Sequence, residues 1–222
     1  AVTNGPPLEY LRSFDGRRIA YTVAGNGPDV LLVHGFASDH AGNWIRPGIF
    51  DALLATGRRV IAYDARGHGA SDHPHEVDAY EHNAMVRDAQ VLLDRLAVTL
   101  VDVVGYSMGA IVSSRLVPHE PRARSLVLGG IGGRRAHGCG AERRARTATA
   151  LEKRAATAID GPTDRPIDRA FRRFAERSGN DLQALAAVQR AAAAGTPGDF
   201  RSIRVPTLVV AGADDRLAGS PH

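Results

Sequence analysis

The sequence predicts an α/β protein with a mostly parallel central β-sheet and helices on both faces. Three observations carry this. Over the first 130 residues short apolar runs alternate with longer amphipathic ones, the pattern of strands joined by crossover helices. A glycine-flanked serine, Gly105-Tyr106-Ser107-Met108-Gly109, stands between one such run and the next helix. After Gly129 the strand signal stops and returns only at residues 206–211. With 222 residues, 44% hydrophobic and 23% charged, the chain has the composition of a globular protein with one ordinary core.

Residues 8–14 and 17–24 read as paired strands about the Asp15-Gly16 turn. Gly25-Asn26-Gly27-Pro28 breaks the pattern. Residues 30–34 are a continuous apolar run, as expected of a strand buried on both faces. Residues 44–56 read as a helix, with Trp44, Ile45, Ile49, Leu53 and Leu54 near helical spacing and Gly57 as the stop. Residues 59–63 are another buried strand. A helix is expected over 80–96, with Met85, Ala89, Leu92, Leu93 and Leu96 on one stripe. Then come a strand at 100–105, a helix at 108–117 stopped near Pro118 and Pro121, and a strand at 125–128.

Gly129 to Gly133 reads as a joint. The stretch 141–194 carries no convincing strand and is rich in Ala, Arg and Glu. Apolar marks fall at Leu151, Ala155, Ala158 and Ile159, then at Phe171, Phe174, Leu182, Leu185 and Val188, with interruptions at Pro162 and Pro166. This divides the chain into a core part at 1–133, a helical insertion at 134–204 and a returning core segment at 205–222.

The net charge of +4 is unevenly spread. The insertion holds 15 basic and 8 acidic residues, a balance of +7, and the remainder is net acidic. Lys153 is the only lysine among the 28 basic residues. The acidic residues are interleaved, as on a solvated helical face. No G-x-x-x-x-G-K-[ST] or G-x-G-x-x-G match is present, and base-stacking aromatic residues are sparse there. Nucleic acid is therefore not an expected partner. No apolar run approaches the ~20 residues of a membrane span. No leader pattern is visible in the first ten residues, and a cytoplasmic location is expected. Cys139, the single cysteine, excludes an intrachain disulfide and a cysteine zinc cluster. No metal or cofactor is implied.

The G-x-S-x-G motif is weak by itself but gains from its context. A buried strand precedes Ser107 and a helix with the small Ala110 follows. The glycines let strand and helix approach closely and the serine take a strained backbone. Its hydroxyl is then presented at the carboxyl end of the sheet, beside a helix N-terminus that favours developing negative charge.

Together with Leu31-Leu32-Val33-His34-Gly35-Phe36, the loop at 64–72, the helical insertion and the Gly212-Ala213-Asp214-Asp215 loop, this motif makes the chain resemble the α/β-hydrolase fold family. The resemblance covers almost the whole sequence. It implies Ser107 as nucleophile and an oxyanion hole from the backbone N–H groups of Phe36 and Met108. It implies Asp215 as the acid member, with Asp214 its neighbour in the turn. Aspartate stands at the elbow in dehalogenases and epoxide hydrolases of this fold, so Ser107 disfavours those chemistries. Phe36, Tyr106 and Met108 are expected to contact substrate, and Trp44, Phe171 and Phe174 are further candidates for an apolar lining. The insertion corresponds to a cap.

The family order places a histidine after the acid, on a loop beyond one more strand and before a last helix. Only His222 follows Asp215. Seven residues can span up to ~25 Å, but an unanchored terminus does not hold a base in place. The triad histidine is left unassigned, with His222 and His137 as weak candidates. His34 and His68 are read as loop residues, and His40, His73, His75, His82 and His119 fall on loops and helix ends with no argument connecting them to Ser107. The chain is expected to be truncated, and residues 206–211 to form an exposed apolar edge. Three functions follow as expectations. One is a serine hydrolase of a carboxylic ester or related small acyl compound, through an acyl-enzyme, with carbon–carbon bond hydrolysis and cofactor-free perhydrolysis open to the same triad. A second is a catalytically impaired hydrolase-like or non-enzymatic binding protein. A third, less favoured, is binding of an anionic surface through the basic insertion. Oligomeric state is not legible.

Overall fold

A computed structural model describes residues 5–132, 140–152, 166–194 and 200–215. Gly133, His137, Cys139, Ala155, Ala158, Ile159, Pro162 and His222 lie outside the described residues.

Strands β1 (Glu9–Arg12) and β2 (Arg18–Ala24) form the expected antiparallel hairpin, with Leu11 opposite Ile19 and Gly16 at φ 82° in the turn. Five further strands are β3 (Asp29–Val33), β4 (Arg59–Tyr63), β5 (Val101–Tyr106), β6 (Ala123–Gly129) and β7 (Thr207–Val210). The sheet order is β1-β2-β4-β3-β5-β6-β7. β2 joins β4 antiparallel, and every pairing from β4 across to β7 is parallel.

The central strand β3 shows why its sequence is apolar throughout. Leu31 and Val33 point into one core with Ala89, Leu92 and Leu93 of α2 (Ala84–Arg95) and Ala110 and Leu116 of α3 (Met108–Leu116). Val30 and Leu32 point the other way, onto Trp44 and onto Phe50 of α1 (Ile49–Ala55). Both faces are covered, so the period-two alternation disappears.

Two expected helices are shorter than their apolar spacing suggests. The stretch 44–56 is a π-helical turn at Ala41–Ile45 followed by α1, divided at Pro47 and at Gly48, which sits at φ 79°. Over 80–96, α2 starts only at Ala84, because His82 and Asn83 both adopt the left-handed region, at φ 51° and 57°. A short 3-10 turn, Val77–Tyr80, precedes them. Trp44, a candidate for the substrate lining, belongs to the core beneath α1 and is 4% exposed.

Between β6 and β7 lie α4 (Ala141–Glu152), α5 (Pro166–Arg177) and α6 (Leu182–Ala194). Pro166 opens α5 rather than interrupting a helix, since a first-turn residue needs no N–H. Ala148, Leu151, Ala175, Leu185 and Ala186 bury against one another and against Ala37, with Phe36 packed alongside. Ala187, Val188 and Ala191 close on Ala79 and Tyr80, with Met108 at the edge. Arg172, nearly buried, donates to the carbonyls of Ala150 and Leu151 at 2.8 and 3.2 Å and so satisfies the end of α4. The Asn180 amide donates to Ala37 O at 2.8 Å. The three helices are thereby held over the loop after β3 and the start of α3.

Among the described residues β7 pairs with β6 alone, and Leu208 and Val210 are 58% and 50% exposed. The expected exposed apolar edge is present.

Arg66 and Asp88 form a fully buried ion pair at the heart of a wider polar network. Arg66 grips Asp88 through two bonds of 2.6 Å each. A third contact, at 2.9 Å, goes to Asp15. Arg66 also donates to Ala79 O at 2.6 Å, and Ser13 Oγ donates to Asp88.

Candidate active site

The turn from β5 into α3 is dictated by two glycines. A Cβ on Gly105 would lie 2.4 Å from Gly109 O and 2.6 Å from Ser113 Oγ. A Cβ on Gly109 would lie 2.0 Å from Val33 O and 2.6 Å from His34 O. Only glycine lets β5, α3 and β3 meet so closely. Between them Ser107 adopts φ 54°, ψ −106°, a conformation costing roughly 1–3 kcal/mol outside glycine. Its N–H donates to Gly129 O at 2.8 Å, which ties the elbow to β6. The serine thus stands at the carboxyl end of the sheet and at the N-terminus of α3.

Two cavities open at Ser107, and Phe36 and Phe171 border both. The larger, about 620 Å³, is lined in part by Met85, Met108, Ile111 and Val188. The smaller, about 220 Å³, brings Asp215 to the same space as Ser107, Tyr106 and Phe174. Asp215 sits in a turn closed by its own N–H to Gly212 O at 3.0 Å. Of the expected substrate contacts, Phe36 and Met108 face the large cavity, whereas Tyr106 borders only the small one and is 45% exposed.

The loop after β3 is braced from several sides. Asn43 Oδ1 accepts the Gly35 N–H at 2.7 Å. Phe36 stacks edge-on against His68 and Phe171, with ring centroids 5.8 and 6.0 Å apart. Met108 is the first residue of α3, where a backbone N–H has no intrahelical acceptor. The two N–H groups expected at an oxyanion site therefore belong to a braced loop and a helix start.

The two histidines of these loops are structural. His34 is fully buried. Its Nε2 accepts the Ala65 N–H at 3.0 Å, which places the proton on Nδ1, 2.8 Å from Gly35 O. His68 is also fully buried, with Nδ1 3.1 Å from Arg66 O. Burial pushes the His34 pKa down and takes that of His68 down to about 3, the neighbouring His34 adding to the effect. Both rings are neutral near pH 7. His40 pairs with Asp64 at 2.7 Å. Burial raises the Asp64 pKa, but the hydrogen bonds from His40 and from the Ala70 N–H hold it down at about 2.

Some residues of the site carried no readable signal. Asn43 borders the small cavity. His82 and His119, exposed, stand at the rim of the large one. Arg115, Arg143 and Arg144 line the large cavity as well. Nothing in helical spacing marks an arginine as inward-facing, because its long stem serves equally on a solvated face. Among the described residues no three His, Cys, Asp or Glu side chains group as metal ligands. No helix among them is long and apolar enough to cross a membrane.

This arrangement, a parallel sheet with a strained glycine-flanked serine at the carboxyl end of its central strands, has a family match. Residues 30–222 fit the model of the Alpha/beta hydrolase family, and the chain belongs to that family. It is 32% identical over 130 residues to the uncharacterized hydrolase YraK of Bacillus subtilis, covering 51% of this chain and 45% of that protein. It is 34% identical over 110 residues to epoxide hydrolase A of Mycobacterium tuberculosis, covering 49% of this chain and 33% of that protein. A hydrolase from Pseudomonas aeruginosa PA01 superposes with a TM-score of 0.67 at 26% identity, covering 99% of this chain and 85% of that one. The chain thus spans less than half the length of these two curated relatives.

Proposed function

We propose that the chain is a serine hydrolase of a carboxylic ester or related small acyl compound, working through an acyl-enzyme. The observation that carries this is Ser107, held at φ 54° between glycines whose added Cβ would clash with backbone, and opening on both cavities. Ser107 Oγ attacks the acyl carbon, and a histidine takes its proton. That proton leaves with the alcohol as the carbon–oxygen bond breaks. Water, deprotonated by the same base, then releases the carboxylic acid and restores Ser107. Asp215 orients the histidine, and the N–H groups of Phe36 and Met108 hold the oxyanion. The α4–α6 helices act as the cap that selects the acyl group. One relative is named an epoxide hydrolase, but a serine nucleophile supports acyl rather than epoxide chemistry.

One observation favours a second reading, a hydrolase-like protein with impaired turnover. Among the described residues, no histidine lines the small cavity where Ser107 and Asp215 meet. Without its base such a site keeps only ~10³–10⁴-fold acceleration over water. A fluorophosphonate probe with mass spectrometry on Ser107, alongside hydrolysis of 4-nitrophenyl butyrate, separates the two. Labelling with turnover, both lost in Ser107→Ala, is the expected result. Absence of both supports the impaired protein, and turnover that persists in Ser107→Ala removes Ser107 as nucleophile.

A further inference from the structure

Two arginines of the basic insertion line the site. Among the described residues, three arginines and one carboxylate, Glu81, line the large cavity. Arg143 and Arg144 come from α4 and Arg115 from α3. All three are half-buried. Arg115 lies eight residues along α3 from Ser107, about 12 Å at 1.5 Å per residue. Arg115 therefore springs from the end of α3 away from the serine, and Arg144 lies close enough to feel its charge.

We propose that the large cavity receives an acyl chain ending in an oxyanion, held by Arg143 and Arg144 with the charge of Arg115 beside them. The substrate class is then a half-ester whose scissile carbonyl rests at Ser107 while its far end is anionic. This deepens the ester-hydrolase reading and rests on it for the position of the carbonyl.

Several facts support it. Among the described residues Arg144 donates one bond, to Ala192 O at 2.7 Å, and a guanidinium has five N–H donors. Burial lowers the pKa of all three arginines, and repulsion from Arg143 and Arg115 lowers that of Arg144 further. Asp168 faces Arg143 and offsets part of its charge, while Arg146 adds to it. Asp168 is itself occupied, accepting from Thr147 Oγ1 at 2.9 Å. Arg143 and Arg144, crowded, partly desolvated and unable to lose their protons, are relieved by an anion, and a forked oxyanion matches their donor geometry. A cavity of about 620 Å³ is ample for a chain of six or so carbons.

The test is calorimetric binding to the Ser107→Ala chain, which cannot consume its ligand. The probes are monomethyl adipate, its neutral counterpart dimethyl adipate, and methyl 5-phosphonooxypentanoate. At least one anion should bind about tenfold more tightly than the neutral diester, the worth of a charge-assisted hydrogen bond. The two anions distinguish a carboxylate from a phosphate end. Adding Arg143→Gln and Arg144→Gln should erase the preference, so that anions and diester bind alike. Arg143→Gln alone carries the test if the double change unfolds the chain. Equal binding of all three probes, no measurable binding of either anion, or an unchanged preference in the arginine variants overturns the proposal. The unmutated chain is assayed in parallel on 4-nitrophenyl butyrate and 4-nitrophenyl hydrogen adipate. Anion binding without hydrolysis of either ester removes the hydrolase reading alone. Hydrolysis of both with no anion preference removes this inference alone.

Discussion

Gly109→Ala isolates the packing that creates the elbow. The added methyl would stand 2.0 Å from Val33 O and 2.5 Å from Val33 C. An unstrained carbon contact is about 3.5 Å, so either α3 or β3 must shift by roughly 1.5 Å. β3 is held between β4 and β5 and has little freedom to do so. Overpacking of this kind costs about 3 kcal/mol. In a chain of this size that is a fall in Tm of about 6–12 °C. Gly109 is not in the left-handed region, so the penalty is steric alone. Gly48→Ala is the matched control, since nothing lies within 4 Å of its Cβ but φ is 79°. Backbone strain there costs about 1–2 kcal/mol. Urea unfolding of both variants reads the difference, and ester hydrolysis reads displacement of Ser107. If Gly109→Ala proves no less stable than Gly48→Ala, close approach is not the reason for the glycine.

Two further outcomes follow from buried charge. Arg66→Met leaves Asp88 fully buried and without its counter-ion, and should cost about 3–5 kcal/mol. Adding Asp88→Leu should recover much of that loss in urea melts, whereas a single variant within 1 kcal/mol of the parent would show that the pair is dispensable. Acid should destabilise the protein well above the carboxylate range. The folded pKa of His68, about 3, lies below its unfolded value near 6.5, so its contribution is complete above pH 6.5 and shrinks as pH falls toward 3. At pH 5 the loss is about 2 kcal/mol from His68, and the depressed His34 adds to it. Asp64, with its pKa lowered to about 2, contributes nothing to that interval and loses its share only below about pH 4. A urea midpoint identical at pH 7.5 and pH 5 contradicts this account.

Much of the architecture was legible because its causes are local. The apolar runs of β3 and β4 reflect burial on two faces, and the Asp15-Gly16 turn specifies its own hairpin. The elbow could be read from Ser107 and its flanking glycines, since the backbone constraint and the residue types that satisfy it lie within five positions. Spacing failed where a stripe ran past a backbone break. Ile45 and Ile49 share helical spacing, yet Pro47 and Gly48 divide them, and His82 and Asn83 delay α2 in the same way.

What the sequence alone determined, then, is the sheet, the helical insertion and the serine presented at a strand's end. Which residues share that serine's space was decided by the tertiary structure. Asp215 reaches it from 108 positions away through the pairing of β7 with β6. Arg143 and Arg144 reach it because α4 packs on α6 above the start of α3. The same packing turned two arginines of what looked like a solvated face into part of the wall of a cavity. Residue type and period record which surface is buried, but an arginine's stem and head suit both water and a pocket. Only the placement of neighbouring elements distinguishes the two.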